Sequence, residues 1–465
     1  MRAAYRVADV RVAEERLMAT LSPGTLMQRA AAGLARRCAL TLADRGGVYG
    51  AKVVLLIGSG DNGGDALYAG ALLAQRGAAV TAVLAGGSSG VHQKGLETLL
   101  KAGGRIAKNV AAQADLVVDG LLGIGARGVL RENMAVLVER IPADATVIAV
   151  DTPSGVDVDS GDIPGPAVRA DVTVTFGCLK PAHVVGPAAV HCGQVELVDI
   201  GLTPWLPDTP AIRVAEAEDV AAWWPRPGPE SDKYTRGVVG LATGSADYPG
   251  AALLSVSGAL AGPAGLVRYA GPVHQSVAQE HPSVVVAPEV AQAGRVQAWV
   301  CGCGLGTSDA SRAVLETVLA QPVPVIVDAD GLSLLGGSRR DERTILTPHD
   351  REFARLTGAE PGPDRVAAAR RLAHERQATV VLKGHHTVIA GPDGQVWVNP
   401  TGSPALATGG TGDVLAGLMG SLLAAGLEPT RAAVMACFVH GLAGRAAARK
   451  GPVTAVDVAH ELKEW

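Results

Sequence analysis

The sequence predicts an α/β protein of two domains, and three observations carry that reading. At 465 residues the chain exceeds what one ordinary hydrophobic core organises. Apolar residues make up 48% and aromatics only 3%, with 59 glycines, a composition suited to helices packed closely on parallel sheets. Short apolar runs alternate with amphipathic segments along nearly the whole length.

Taken in order, residues 7–20 and 23–43 read as helices parted by Ser22-Pro23-Gly24. From there strands at 52–57, 79–84, 116–119, 146–150, 172–176 and 194–198 alternate with helices at 66–76, 94–102 and 133–140, the pattern of a doubly wound parallel sheet. A Pro- and Trp-rich stretch, 202–228, with a short helix at 216–224, is the expected division, giving domains over 1–210 and 211–465. The second half alternates again: strands at 238–243, 283–287, 299–301, 323–328 and 344–346, helices at 251–261, 308–320 and 366–376. Strands at 379–382, 387–390 and 396–398 form a sheet edge with a turn at Pro392-Asp393-Gly394, and three helices close the chain.

Charge and cysteine usage exclude several classes of function. A net charge of -4 gives nucleic acid or a membrane surface no basic patch to meet. The six cysteines are scattered through a long chain, which points to a reducing compartment, and a cytoplasmic location is expected. Cys301 and Cys303 read as strand residues without a zinc-spaced partner. Arg2, Arg6, Arg11, Glu14, Glu15 and Arg16 interrupt any apolar leader. The segment 414–427 is too short to span a bilayer and reads as a buried helix.

The densest chemistry lies at 399–420, where Gly409, Gly410 and Gly412 surround Thr411, and Asp413 follows at once. Glycines that open a helix turn backbone N–H groups into one concavity and add the positive end of the helix, a setting for a phosphoryl group. A carboxylate there suits the proton of an attacking hydroxyl. Standing alone, the motif is better read as a helix cap after a glycine turn.

The first half carries its own glycine loop at 58–65, in which Gly58, Gly60 and Gly63 satisfy G-x-G-x-x-G. The dinucleotide fingerprint also needs an acidic residue about 20 positions on. The second strand instead ends Leu84-Ala85-Gly86-Gly87, which disfavours a conventional NAD-dependent dehydrogenase. Asp61, Asn62 and Asp65, then Asp119, then Asp151 with Ser154 fall at three strand ends that share one crevice in an open parallel sheet. Oxygens of Asn62, Asp119 and Ser154 suit a hard cation, the glycine-rich segment 123–129 suits a phosphate, and Asp151 is left as an acid or base.

These residues resemble two families joined end to end. Residues 61–65, Asp119 with Gly123-Ile124-Gly125, residues 151–157 and the run 176–183 are similar to the NAD(P)H-hydrate epimerase domain. Residues 302–306, Asp328-Ala329-Asp330-Gly331-Leu332, Leu346-Thr347-Pro348-His349, residues 381–384 and 407–413 are similar to the NAD(P)H-hydrate dehydratase domain of the ribokinase-like superfamily. The resemblance implies a Rossmann-like epimerase domain followed by a ribokinase-like α/β/α sandwich, together repairing hydrated nicotinamide nucleotides. One half interconverts the R and S hydrates and the other dehydrates the S form with ADP or ATP and Mg2+.

By the same resemblance, Asn62, Asp119 and Ser154 bind K+, and Asp61, Asn62, Gly63, Gly64, Asp65, Gly123, Ile124, Gly125, Ala126, Arg127, Gly128, Val129 and Asp151 hold the hydrate in the first half. In the second, Ala251, Gly304 and His349 contact the hydrate; Lys383, Gly384, His385, His386, Thr387, Gly409, Gly410, Thr411 and Gly412 contact the nucleotide; and Asp413 is catalytic. Lys180 is a further candidate for holding substrate. The sequence departs from the family pattern at Asp61, Ala66, Cys303, Asp350 and Arg351. The relatives' habit of assembling implies a homo-oligomer. The competing reading is a ribokinase-like small-molecule kinase with a catalytically silent N-terminal binding domain; it leaves Asp61, Asn62, Asp119, Asp151 and Ser154 unexplained.

Overall fold

The computed structural model describes residues 1–87, 90–126, 128–338 and 340–464. The chain divides into two compact units, Ala3–Ile212 and Arg213–Trp465, the latter taking in Met1–Arg2.

In the first unit seven parallel strands grow outward from Lys52–Ile57 in both directions. On one side lie Ala79–Leu84 and Arg105–Ala107; on the other Leu116–Gly120, Thr146–Val150, Val172–Phe176 and Gln194–Val198. Leu55 pairs with Ala82 on one side and Val118 on the other, all three of them buried. Such near-continuous apolar strands are what a sheet covered on both faces requires. The order reverses at Lys52–Ile57, so the carboxyl ends of that strand and of Leu116–Gly120 open a crevice between them. The helix that follows runs Asp61–Gln75, not from residue 66 as the sequence reading has it, so Asp61 to Asp65 form its first turns rather than a loop. The small residues that read as loop let this helix press down on the strand ends, and Asn62 and Asp65 are buried there.

In the second unit the parallel strands stand in the order Val285–Ala287, Leu266–Ala270, Val238–Ala242, Ala298–Cys301, Val325–Val327, Thr344–Leu346 and Thr379–Leu382. The antiparallel hairpin Val388–Ala390 and Val396–Val398 extends one edge. Leu266–Ala270 goes unseen in the sequence because Arg268 and Tyr269 break its apolar run; Arg268 bonds to Ala293 O and the Tyr269 hydroxyl to Thr243 O. Cys301 ends its strand, and Cys303 lies in the turn beyond it.

The helix Thr411–Ala424 is buried on nearly every side. It crosses Pro249–Leu260 at Gly258 and Gly417: a Cβ on Gly417 would stand 1.9 Å from Ser255 O, and one on Gly258 2.1 Å from Val414 O. Only glycine permits backbones to meet this closely. Gly410 caps the helix with φ 87°, a left-handed conformation that costs glycine little. No described helix is long and apolar enough to cross a membrane.

Candidate active sites in the two units

The crevice of the first unit holds a cavity of about 850 Å3. Asp61, Asn62, Asp65, Gly123, Ile124, Gly125, Ala126 and Asp151 line it, as do Arg11 and Glu14 of the helix Val7–Met18. Gly63 and Gly64 lie in the buried first turns of the following helix, outside the lining. Gly128 and the exposed Val129 also stand outside it, and Arg127 falls outside the described residues.

Asn62 lines the cavity, while Asp119 and Ser154 stand outside its lining and are linked to Asn62 through Leu122. Asn62 Nδ2 donates to Leu122 O at 3.0 Å and Val150 O at 2.6 Å. Asp119 is fully buried and accepts from Ser154 Oγ at 2.7 Å, Ser154 N at 2.8 Å and Leu121 N at 3.2 Å. Every one of these donors is neutral, and burial pushes the Asp119 carboxyl above its usual range although the Ser154 and Leu121 bonds resist. Among the described residues this buried carboxylate has one hydroxyl and two backbone N–H partners and no cationic one, a charge that a hard cation would balance.

Asp151 follows strand Thr146–Val150 with φ 64°, a strained conformation for a residue with a side chain. Its Oδ1 accepts from Lys180 Nζ at 2.5 Å and from Thr175 Oγ1 at 2.8 Å. Burial raises its proton affinity, but the Lys180 charge and hydrogen bond outweigh that and hold the carboxyl below its usual range. Lys180 is itself only 1% exposed, lies outside the cavity lining and also donates to Phe176 O, so it holds Asp151 ionised from beneath instead of projecting into the cavity. His183 accepts from Lys180 N through Nδ1 and meets Asp151 O through Nε2 at 2.7 Å. It is buried neutral, its pKa drawn down to about 4.

The second unit has a cavity of about 700 Å3 lined by Ala251, Gly304, Gly409, Gly410 and Asp413, with Tyr248 and Asp330. Thr411 and Gly412 form the first turn of the helix behind it. A Cβ on Gly412 would lie 3.7 Å from Lys383 Nζ. Lys383 pairs with Asp328 Oδ1 at 2.7 Å and lies 3.6 Å from Glu352, so this lysine is a partly buried ion-pair partner. Cys303 Sγ donates to Asp328 Oδ2 at 3.6 Å, and donor atoms of Cys303, Asp328 and Asp413 lie within 4.8 Å of one another. Burial, reinforced by the Asp328 charge, pushes Asp413 up to about 7, against the opposing Cys303 hydrogen bond and Lys383 charge.

His349 caps the helix Asp350–Thr357 in a reciprocal box with Glu352. The departure at Asp350 is absorbed by an ion pair with Arg365 at 2.6 Å, while Glu352 keeps the cap. Gly384, His385, His386 and Thr387 form the turn after Thr379–Leu382, closed by Thr387 Oγ1 on Gly384 O at 3.0 Å, and do not line the cavity.

Glu14, Asp328 and Asp330 are site residues to which the sequence reading gives no role. Asp328 and Asp330 lie within a motif already singled out, and Gly306 N donates to Asp330 at 2.9 Å. Glu14 is one charge among several on an amphipathic helix, with no local signal to separate it.

The family described as NAD(P)H-hydrate dehydratase matches residues 239–464, and that described as YjeF-related protein N-terminus matches 23–182. The chain is 50% identical over 460 residues to the bifunctional NAD(P)H-hydrate repair enzyme Nnr of Mycobacterium leprae, covering 97% of this chain and 96% of that one. It belongs to the bifunctional NAD(P)H-hydrate repair enzymes. A second member of this family, Nnr of Mycobacterium tuberculosis, is 51% identical over 440 residues, covering 93% of this chain and 91% of that one. Among solved structures, the ADP/ATP-dependent NAD(P)H-hydrate dehydratase of Bacillus subtilis, co-crystallised with ATP/Mg2+, is 32% identical with a TM-score of 0.51. It covers 54% of this chain and 97% of that one. A ribokinase-like superfamily protein of Enterococcus faecalis gives a TM-score of 0.52 at 25% identity, over 55% of this chain and 95% of that one. For this repair-enzyme family member the C-terminal unit is therefore ribokinase-like in fold.

Proposed function

We propose that the protein repairs NADH and NADPH hydrates: the unit Ala3–Ile212 exchanges the R and S epimers, and the unit from Arg213 dehydrates the S form with ADP or ATP. AMP or ADP and phosphate are released with NAD(P)H. The observation that carries the reading is Asp413, a carboxylate on the wall of the second cavity whose pKa of about 7 suits a general base.

Asp413 takes the proton of the hydrate hydroxyl, whose oxygen then bonds to the terminal phosphorus as the bond to the nucleotide's bridging oxygen breaks. Phosphate is a far better leaving group than hydroxide, so its departure with the ring proton restores the nicotinamide. The N–H groups of the Gly409–Gly412 loop and the helix start face the phosphoryl charge, and Lys383 supports it from the far side of Gly412. Ala251, Gly304 and His349 are assigned to the hydrate, and Lys383 with residues 384–387 and Gly409–Gly412 to the nucleotide. Mg2+ supplies charge neutralisation to the phosphates when bound, and Asp328 and Asp330 offer the hard oxygens that would hold it.

In the first unit Asn62, Asp119 and Ser154 would hold K+, which supplies a fixed positive charge to the uncompensated Asp119 carboxylate. Residues 61–65 and 123–129 are assigned to the hydrate, with Asp151 as the anionic catalytic group. We place the enzyme in the cytoplasm as a homo-oligomer, in keeping with cysteines that are all free and buried among the described residues; a sedimentation profile showing monomer alone would contradict the assembly.

The test is recovery of nicotinamide absorbance from mixed R and S NADH hydrates with ADP, with ATP and with neither. Complete recovery only with a nucleotide is expected, and formation of a stable phosphorylated small molecule instead would point to a kinase.

A further inference from the structure

Hydration of an enamine places the hydroxyl on the carbon bonded to nitrogen. Exchanging the two epimers at that carbon requires the C–O bond to break and re-form on the other face. A hydroxyl leaves such a carbon readily only when it is protonated, so the cavity needs a carboxyl that carries a proton near neutrality. It also needs a fixed negative charge to face the cationic ring formed in between.

The structure separates these two roles. Asp151, held ionised by Lys180 at 2.5 Å, supplies the fixed charge. The buried His183 has both ring nitrogens engaged, and His92 Nδ1 accepts from Gly95 N at 3.0 Å as a helix cap. Asp61 is exposed to solvent. Of the remaining carboxyls in the lining, Glu15 is exposed and Asp65 is buried in the first turns of the helix Asp61–Gln75. The half-buried Glu14, by contrast, reaches the cavity from the helix Val7–Met18, a separate element from the strand ends that carry the recognised motifs.

We propose that Glu14 is the acid–base residue of epimer exchange, an inference that rests on the epimerase assignment of this unit. Glu14 gives its proton to the hydroxyl, the C–O bond breaks, and water departs. The ring-nitrogen lone pair becomes the C=N bond. Water then adds to the opposite face, the C=N electrons return to nitrogen, and the proton lost by the added water restores the Glu14 carboxyl, so nothing is consumed over the cycle. The charged groups that face Glu14 are Arg11 on its own helix, Asp61 and Asp65 on the helix Asp61–Gln75, and Asp151 with Lys180 beneath the cavity; His92 lines the same space. Burial lifts the Glu14 carboxyl to about 7, with Asp151 and Asp61 adding to the rise and Lys180 and Arg11 opposing it.

The experiment uses the full-length chain and a single purified hydrate epimer without nucleotide, following appearance of the other epimer by chromatography. Wild-type exchange is expected to fall as pH rises through about 7, the value for Glu14. Glu14→Gln is expected to lose roughly 10²–10⁴-fold of the rate and the pH limb with it, while Glu14→Asp keeps a reduced rate that still falls with pH. Nucleotide-driven recovery of NADH from the pure S hydrate, the work of the other unit, should stay unchanged, and a wild-type melting profile shows that the variant is folded. Glu14→Gln exchanging at the wild-type rate, or a wild-type profile flat across neutrality, overturns the role of Glu14. A wild-type chain that exchanges no faster than the spontaneous reaction overturns the epimerase assignment itself, a distinct result.

Discussion

Lys180 Nζ lies 2.5 Å from Asp151 Oδ1, with the two side chains only 1% and 8% exposed. Desolvation penalises both charges, and each is tolerated because the other is there. Burial alone would lower the Lys180 pKa, yet the Asp151 charge carries it above the usual value; Asp151 moves below its own. Lys180→Met should therefore cost about 3–5 kcal/mol by stranding a buried carboxylate. Adding Asp151→Asn should recover part of that loss. Denaturant unfolding of the two variants checks this, and a single variant as stable as the wild type would contradict it.

On the proposed mechanism, Asp413 should set the pH dependence of the dehydratase reaction. Its folded pKa is raised to about 7, so below that pH the carboxyl keeps its proton and cannot accept another. kcat/KM for the S hydrate should rise as pH passes through about 7 and level off above it. The same shift runs against stability: the native state binds the proton more tightly than the unfolded chain, so Asp413's contribution falls as pH rises from the ordinary carboxylate range to about 7. Asp413→Asn should lower the rate by roughly 10²–10⁴-fold and leave it flat with pH. An unchanged pH limb in that variant would assign the base elsewhere.

Most strands of both sheets are legible from alternation of apolar runs, Arg105–Ala107 and Leu266–Ala270 being exceptions, and Lys52–Ile57, Thr146–Val150 and Val172–Phe176 stand at the expected bounds. The helix at Asp61 was harder to read because Asp, Asn and Gly favour turns in isolation, whereas here burial against the strand ends decides. Motif residues such as Asp151 and Asp413 carry local signals, a strand end or a glycine loop. Glu14, Lys180 and Asp328 take their roles from side chains remote in sequence, and spacing alone holds no trace of such pairs.

Asp119 should make epimer exchange depend on a monovalent cation. Its carboxylate is fully buried and held by neutral donors from Ser154 and Leu121, a charge that a cation bound there would balance. Replacing K+ with tetramethylammonium is expected to slow epimer exchange while leaving dehydration of the pure S hydrate intact. Asp119→Asn should reduce the response to K+ over a titration of the salt. Equal exchange rates in the two salts would remove K+ from this site.

The crossing of Gly417 with Ser255 ties the position of Asp413 to the packing of two helices. A methyl group on Gly417 would be placed 1.9 Å from Ser255 O, a backbone atom without the freedom of a side chain. Relief requires Thr411–Ala424 to move away from Pro249–Leu260, and those helices carry Asp413 and Ala251 on the wall of the same cavity. Gly417→Ala should thus cost about 1–3 kcal/mol of stability, as overpacked cores do. It should also lower kcat for dehydration, since misplacing a catalytic group by about 1 Å can cost 10²-fold. Epimer exchange by the same variant should persist at temperatures below its unfolding transition. Thermal denaturation together with the two separate assays tests this, and a variant with wild-type dehydration would show that the helix crossing does not set the position of Asp413.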